Sequence, residues 1–486
     1  MNLNLVLSIV GQIIKVLGYI MLSPLFVILI YREPMGNMMS FIIPALLCLI
    51  IGSYLSKAKY DPNDMYTIEG FMVVALSWLM MSLFGSFPFL LSGELHTFSD
   101  AFFETASGFS TTGATVFTDV EVVSNSILFW RSLTQWLGGM GVLVFVLAIT
   151  PSGRSESVYI MKAEVPGATF GKLRSRVSSS AQILYRLYIT MTLITVALLI
   201  LARIPIFDSV LLAFGAAATG GFTTVNTSIA HYNSTSVELI LAFSMLAFGI
   251  NFNLYYMLLN RQFKSFFKNE ELRWYVSIIS ISSLLIGLNL FFNGYGFLQS
   301  LHDAFFSVIS MITTTAYILV DFTQWPIFPR VVLLMLMFAG GMSGSTAGGL
   351  KISRVAIIIK TAVAEIRRIT YPNRVVSVHF EEQAQDQKFI RSIINYFVIY
   401  VLIFGLGVSI VSLEVPEFIS AFSLVSAMIN NIGTGFGSVG PTYNYSVFSS
   451  PMKIFLSFIM IAGRLEIYPM LILLAPGTWK RSLRSK

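Results

Sequence analysis

The chain has 486 residues, 55% of them hydrophobic and 11% charged, with a mean hydropathy of +0.77. Soluble domains carry about 25% charged residues, so a single large soluble core is excluded. The net charge of +7 raises nucleic acid as a partner, but that footprint needs basic and aromatic residues together on a water-exposed surface, and no loop here is long enough to carry one.

From the N-terminus, apolar stretches run over 7–30, 38–56, 69–91, 126–149, 183–204, 237–259, 274–295, 329–350, 392–413 and 452–475. Each approaches the ~20 residues needed to cross the hydrocarbon core of a bilayer. Lys15 lies inside the first stretch and no small-residue cleavage site follows it, so this stretch reads as a retained helix and not a signal peptide. The single cysteine, Cys48, sits in an apolar run; it excludes a disulfide framework and reads as a buried thiol. Basic residues gather after alternate stretches: Lys57 and Lys59, then Arg154 to Arg176, Arg261 to Arg273, Arg354 to Arg391, and Lys480 to Lys486. The intervening loops hold few, such as Arg32, Arg203 and Arg330. Positive charge marks the cytoplasmic side, which predicts a multi-pass protein of the cytoplasmic membrane, surrounded by lipid, with both termini inside the cell.

Between the spanning stretches lie four shorter segments that resemble one another. They read DAFFETASGFSTTGAT from Asp100, DSVLLAFGAAATGGFT from Asp208, DAFFSVISMITTTAYI from Asp303 and SAFSLVSAMINNIGTG from Ser420. Thirteen residues after each opening stand Gly113, Gly221, Ala316 and Gly433, and two places before these stand Thr111, Thr219, Thr314 and Asn431. An apolar run of 10–14 residues suggests a re-entrant or buried segment. The opening Asp or Ser reads as a helix N-cap and the terminal Gly as a helix stop. The expected fold is therefore all-α and integral to the membrane, with four helix–pore-loop–helix repeats around a central pore and two extra N-terminal transmembrane helices. The extra pair covers 1–65, and the repeats cover about 66–182, 183–273, 274–391 and 392–486. A unit of this kind cannot bury its polar strand alone.

Non-helical backbone at membrane depth persists only where it is buried in protein or lines water. Four such strands about one axis would offer carbonyl oxygens to a dehydrating cation. Glycine suits this place because it takes positive φ without a Cβ clash, and the C-terminal ends of the short helices favour positive charge. The third strand departs from the pattern at Ala316, where a left-handed backbone costs about 1–2 kcal/mol.

The motifs SGFSTTGATV (107–116), TQWLGGMGVLVF (134–145), ATGGFTT (218–224), GINFNLYY (249–256), GGMSGSTAGGLK (340–351) and NNIGTGFGSVGP (430–441) together resemble the Trk/Ktr/HKT superfamily of cation transporters, and within it the membrane subunits of bacterial Trk potassium-uptake systems. The resemblance covers essentially the whole chain. It implies gated K⁺ uptake through a carbonyl-lined selectivity filter, with K⁺ bound at Thr111, Thr112 and Gly113, at Thr219, Gly220 and Gly221, at Thr314, Thr315 and Ala316, and at Asn431, Ile432 and Gly433. Replacing a filter glycine accompanies a shift toward Na⁺ in the plant branch, so Ala316 keeps open a sodium-permeable or weakly selective transporter of the same fold. No covalently bound cofactor is implied. The resemblance further implies a homodimer and a separate cytosolic ring of nucleotide-binding regulatory subunits acting on the basic loops at 151–182, 261–273 and 351–391.

The run from Gly340 to Gly349 lies late in the second helix of the third repeat. Interior glycines cost about 1 kcal/mol each against Ala, so it reads as a helix break or as a close-packing surface; the GxxxxGK[ST] phosphate loop is absent. The resemblance implies an intramembrane gating loop comprising Gly344, Ser345, Thr346, Ala347 and Gly348, closed by Lys351, and the corresponding helices of the other repeats are expected to be unbroken. Arg464 lies within the last span, where charges are costly and functional. It either faces the pore beside that loop, as the resemblance implies, or pairs with an acid on a neighbouring helix. Arg131 and Arg186 read as snorkelling side chains, and Gln135 as packing. An intramembrane enzyme would need a nucleophile with a base or a metal. Ser343 and Ser345 have no facing partner, and His96, His231, His302 and His379 lack ligand spacing.

Overall fold

Apolar length dictates helices, and in the computed structural model helices carry nearly all of the regular structure. The structure describes residues 2–58, 67–141, 177–374, 376–441 and 443–483. Lys59, the basic run from Arg154 to Arg176, the end of the 126–149 stretch and the last residues, Arg484 to Lys486, lie outside the described residues. In chain order the helices are α1 (Leu3–Ile20), α2 (Pro24–Tyr31), α3 (Met35–Leu55), α4 (Thr67–Gly85), α5 (Phe87–Leu91), α6 (Phe98–Phe109), α7 (Asn125–Gly139), α8 (Val177–Leu201), α9 (Ile206–Ala218), α10 (Thr235–Phe248) and α11 (Phe252–Leu259). They continue as α12 (Phe263–Lys268), α13 (Glu270–Phe292), α14 (Phe297–Ile312), α15 (Ile327–Ala339), α16 (Ile352–Thr370), α17 (Gln387–Val411), α18 (Phe418–Ile429), α19 (Ser450–Arg464), α20 (Tyr468–Leu474) and α21 (Pro476–Leu483). A two-residue antiparallel hairpin, β1 (His379–Phe380) with β2 (Gln383–Ala384), pairs His379 with Ala384 and Phe380 with Gln383.

The N-terminal helices α1 and α3 pack through glycine. A Cβ on Gly11 would stand 2.7 Å from Leu55 Cβ, and one on Gly52 would stand 2.7 Å from the Gly11 carbonyl oxygen. Such close approach is how helices associate in lipid, where apolar burial alone gives little preference for protein over tails.

Among the described residues six stretches are long and apolar enough to cross a membrane: Leu3–Tyr31, Met35–Leu55, Thr67–Leu91, Ala181–Leu201, Glu270–Phe292 and Gln387–Val411. The spans expected at 237–259, 329–350 and 452–475 are not continuous. Helices α10 and α11 meet at a 92° bend. Helix α15 stops at Ala339, and α16 starts only at Ile352. Helix α19 stops at Arg464, after which Glu466 and Ile467 take φ of 53° and 70°. Helix α7 likewise ends at Gly139, with Gly141 at φ 77°. The expectation that only the third such helix is broken is therefore corrected. Among the described residues the second-repeat and fourth-repeat helices break as well, at Gly249 and after Arg464, and the third has the longest of these breaks.

Candidate functional site

The short helices α6, α9, α14 and α18 were expected to start on Asp100, Asp208, Asp303 and Ser420. They start earlier, because the apolar residues ahead of those positions also join the helix. The N-caps are Thr97, Pro205, Gly296 and Glu417. Asp100 and Asp208 instead sit in the first turn, where the helix dipole still favours a negative charge. Asp100 is paired with Lys453 of α19 at 2.6 Å, and Asp208 accepts from the Thr224 hydroxyl at 2.7 Å.

The other ends are alike in detail. The helices end at Phe109, Ala218, Ile312 and Ile429, three or four residues before the expected glycine stops. What ends them is a left-handed residue at the −2 position: Thr111 (φ 57°), Thr219 (54°), Thr314 (59°) and Asn431 (57°). The N–H groups of these residues donate to Gly108, Ala216, Met311 and Met428 at 2.9–3.3 Å. The next residues, Thr112, Gly220, Thr315 and Ile432, donate five residues back to Ser107, Gly215, Ser310 and Ala427 at 2.8–3.0 Å. Both bonds together form the Schellman ending, normally built on glycine. A β-branched residue in left-handed space is a true outlier; each costs about 1–2 kcal/mol and persists only where its surroundings over-determine it. One residue further on, φ is positive again, at Gly113 (81°), Gly221 (78°), Ala316 (57°) and Gly433 (82°).

These four strands meet. A Cβ on Gly113 would overlap the Gly220 carbonyl oxygen, one on Gly221 the Thr315 carbonyl oxygen, and one on Gly433 the Thr112 carbonyl oxygen. Strand one thus abuts strand two, strand two abuts strand three, and strand four abuts strand one. Ala316 occupies the remaining edge of the ring. On one side of the ring is a cavity of about 140 Å³ whose lining includes Gly113, Gly221, Ala316 and Gly433. Thr111 Oγ1 and Asn431 Oδ1 are buried with no hydrogen-bond donor or acceptor facing them. Buried oxygens without a donor are rare.

The strands are held from behind by residues that sequence reasoning passed over. Gln135, read as packing, donates from Nε2 to the Gly220 carbonyl at 2.7 Å and accepts the Phe222 N–H at 3.1 Å. Arg131 does not snorkel; it is 3% exposed and pairs with fully buried Glu104 at 2.6 Å. Its guanidinium lies 3.5 Å over the Phe222 ring and donates to the Thr223 carbonyl at 3.1 Å. Glu104 also accepts the Thr115 hydroxyl at 3.0 Å and the Val116 N–H at 2.9 Å. Tyr445 donates its hydroxyl to the Gly433 carbonyl at 3.0 Å and its N–H to the Thr115 carbonyl at 2.8 Å. The signal for Gln135 and Arg131 was present: a polar side chain inside an apolar span must find partners. Where the strands leave the ring, Asn226 donates to Asp119 at 2.7 Å and accepts from the Val120 N–H at 3.0 Å. That amide, with the Glu121 N–H, holds the Asp119 carboxyl below the usual carboxylate range.

Under the ring lies the 340–351 segment. The Gly348 N–H donates to Thr314 Oγ1 at 2.8 Å, and a Cβ on Gly348 would overlap the Asn430 carbonyl oxygen. The Thr346 hydroxyl donates to the Phe248 carbonyl at 3.2 Å, and the Phe252 N–H to the Gly344 carbonyl at 3.1 Å, so the loop fills the break between α10 and α11. Arg464 donates to the Thr346 carbonyl at 2.7 Å and to the Gly138 and Gly139 carbonyls at 2.8 and 2.7 Å. Arg464 thus lies against the loop, and its guanidinium also caps α7. The nearby acid, Glu466, is bonded to Arg354 of α16, and Lys351 to the Ala347 carbonyl. A second cavity, of about 80 Å³, lies along the loop and includes Gly139, Gly344, Lys351, Gly463 and Arg464 in its lining.

A family model described as TrkH, cation transport protein, matches residues 37–480. The chain belongs to the TrkH family. Among its TrkH relatives, the Trk system potassium uptake protein TrkH of Salmonella typhimurium is 33% identical, covering 99% of this chain and 100% of that protein. The Escherichia coli protein of the same name is 32% identical over the same shares, and the E. coli Trk system potassium uptake protein TrkG is 30% identical, covering 99% of each. The crystal structure of the potassium transporter TrkH from Vibrio parahaemolyticus superposes with a TM-score of 0.88 at 29% identity, over 99% of this chain and 100% of that one. The TrkH fold thus extends over the full length, helix pair α1–α3 included.

Proposed function

We propose that this chain carries K⁺ into the cell through the ring formed by its four strands. The carrying observation is the shared ending of α6, α9, α14 and α18, with positive φ at the −2 and 0 positions of every strand. Thr111, Thr112 and Gly113, with the corresponding triplets 219–221, 314–316 and 431–433, act as the selectivity filter. Their carbonyls, together with the unpartnered oxygens of Thr111 and Asn431, replace the ion's water. The half-helix dipoles add a favourable field for positive charge. The four units belong to repeats covering about 66–182, 183–273, 274–391 and 392–486. Relatives bearing the name potassium uptake protein support K⁺ over Na⁺ as the principal cargo.

The 340–351 segment is the gate. It lies across the pathway beneath Thr314 and Asn430, and Arg464 with Lys351 adds positive charge there. In the closed state this charge opposes a cation (like charges a few ångströms apart in a low-dielectric site repel strongly). The Trk system naming of the relatives implies further components. We assign to this chain a cytosolic nucleotide-binding regulatory subunit at its basic loops, a homodimeric assembly, and both termini in the cytoplasm. No chemical transformation enters this reading.

The test is cation flux into liposomes containing the purified full chain. K⁺ should enter well ahead of Na⁺, and Gly113→Val should abolish K⁺ entry while the protein remains monodisperse in detergent. Unchanged K⁺ and Na⁺ flux in Gly113→Val would remove the filter assignment.

A further inference from the structure

Helix α13 begins with N–H groups that no residue of its own can satisfy. Asn269 caps one by accepting the Leu272 N–H at 2.8 Å. The others are met from the β1–β2 hairpin, about a hundred residues away in sequence. Glu381 Oε1 accepts the Glu270 N–H and the Glu271 N–H, both at 3.1 Å, and the Asn269 side-chain amide at 2.8 Å. The Glu381 N–H donates in return to Glu270 Oε2 at 3.0 Å. Lys360 of α16 binds both Glu270 and the His379 carbonyl, so the hairpin is seated on two helices.

The turn that presents Glu381 is strained. Glu381 and Glu382 both take positive φ, at 54° and 60°. Two-residue hairpins of this type strongly prefer Asn-Gly or Asp-Gly, and each non-glycine residue held there costs about 1–2 kcal/mol. The bonds to α13 offset that cost only while the hairpin stays docked.

The next residue carries the connection inward. Glu271 is 5% exposed. Its Oε1 accepts the Ser343 N–H at 2.7 Å and the Ser353 N–H at 3.1 Å. Ser343 lies in the intramembrane segment and Ser353 in the first turn of α16, immediately beyond it. One carboxylate oxygen therefore ties together the two sides of the loop. We propose that Glu271 and Glu381 are positioning residues acting in series: the hairpin fixes the N-terminus of α13, and Glu271 at that terminus clamps the 340–351 loop in its closed place. Lifting the hairpin off α13 loosens the loop. This rests on the reading of the loop as the gate, and the experiment separates the two.

Ser345→Cys supplies a reporter in the loop; the natural Cys48 is buried. In purified full-length protein, maleimide labelling of Ser345→Cys is timed with and without Glu381→Ala, and flux of K⁺ is measured in liposomes for Glu381→Ala, Glu271→Gln and both together. Glu381→Ala removes the three hydrogen bonds that its carboxylate accepts, which should shift loop opening by about tenfold or more, so labelling and flux should both rise by at least that order. The double variant should do no more than the stronger single, because residues in one series chain are not additive. Glu271→Asp should restore closure in part. Unchanged labelling in folded Glu381→Ala overturns the proposal, as do additive effects. Faster labelling with unchanged flux keeps the clamp and removes the gate reading instead. Should Glu271→Gln fail to fold, the half-buried hairpin residue Glu381 still decides the outcome.

Discussion

At the scale of single residues, the ring is three glycines and one alanine at one conformation. Ala316 holds φ 57° with a Cβ in place, on the edge where the other strands leave no room for one. Ala316→Gly removes a strain of about 1–2 kcal/mol and adds about 0.4–1 kcal/mol of unfolded-state entropy. Stability should therefore change by about 0–1.6 kcal/mol, in favour of the glycine. The ion ratio should change more, because a glycine lets strand three take the φ near 80° that Gly113, Gly221 and Gly433 share. Side-by-side liposome flux should give a higher K⁺ to Na⁺ ratio for Ala316→Gly, and an unchanged ratio would free Ala316 from any part in selectivity. Arg131 and Glu104 lead to a second expectation. Breaking a buried pair by removing one partner costs about 3–5 kcal/mol, whereas replacing both with apolar residues is often neutral. Arg131→Met should lower thermal stability sharply in detergent, and Arg131→Met with Glu104→Leu should recover much of it. The recovered protein should nevertheless conduct less selectively, since Thr115, Val116 and the Thr223 carbonyl lose their shared partners.

At the scale of elements, the four short helices and their common offset were legible in the sequence because hydrophobic length and glycine placement are local signals. The helix ends were not. The Asp and Ser residues at 100, 208, 303 and 420 look like caps, but tertiary packing extends each helix ahead of them, and caps fall on Thr97, on Gly296, or on residues with little capping preference, Pro205 and Glu417. The stop three or four residues short of the glycine was hidden for a similar reason: a left-handed Thr is intrinsically unfavourable, and only contacts from other strands make it worthwhile. The helix ends at Gly139, Gly249 and Arg464 follow only one or a few glycines in an apolar run, a common pattern, whereas the ten residues of the Gly340–Gly349 run are conspicuous. Arg464 joins three of these places, binding the loop and the end of α7 from the end of α19. Arg464→Ala removes both the cap and the anchor. We expect higher basal K⁺ flux in liposomes, with Arg464→Lys intermediate because an ammonium lacks the fork that reaches two sites at once. Lower flux from folded Arg464→Ala protein would contradict a closing role.

At the scale of the whole molecule, the sides of the membrane follow from charge and from the ring together. Asp119, Glu121 and Asn226 sit where the strands leave the ring, on the face opposite to the Gly340–Lys351 loop and the basic helix α16. From the positive-inside rule we propose that the basic face is cytoplasmic, with the strands opening outward and the loop inward. The buried Cys48 makes this directly measurable, because the natural chain supplies no competing accessible thiol. Val122 is 77% exposed in the turn beyond strand one, and Lys57 is exposed after α3. An impermeant maleimide applied to intact cells should label Val122→Cys and leave Lys57→Cys untouched until the membrane is opened. The reverse pattern would invert the pathway, putting the gate outside and the filter inside. That arrangement would also set the basic helix α16 against the extracellular face, where no negative surface potential holds it, and would leave the Glu381 hairpin beyond the reach of any cytosolic partner.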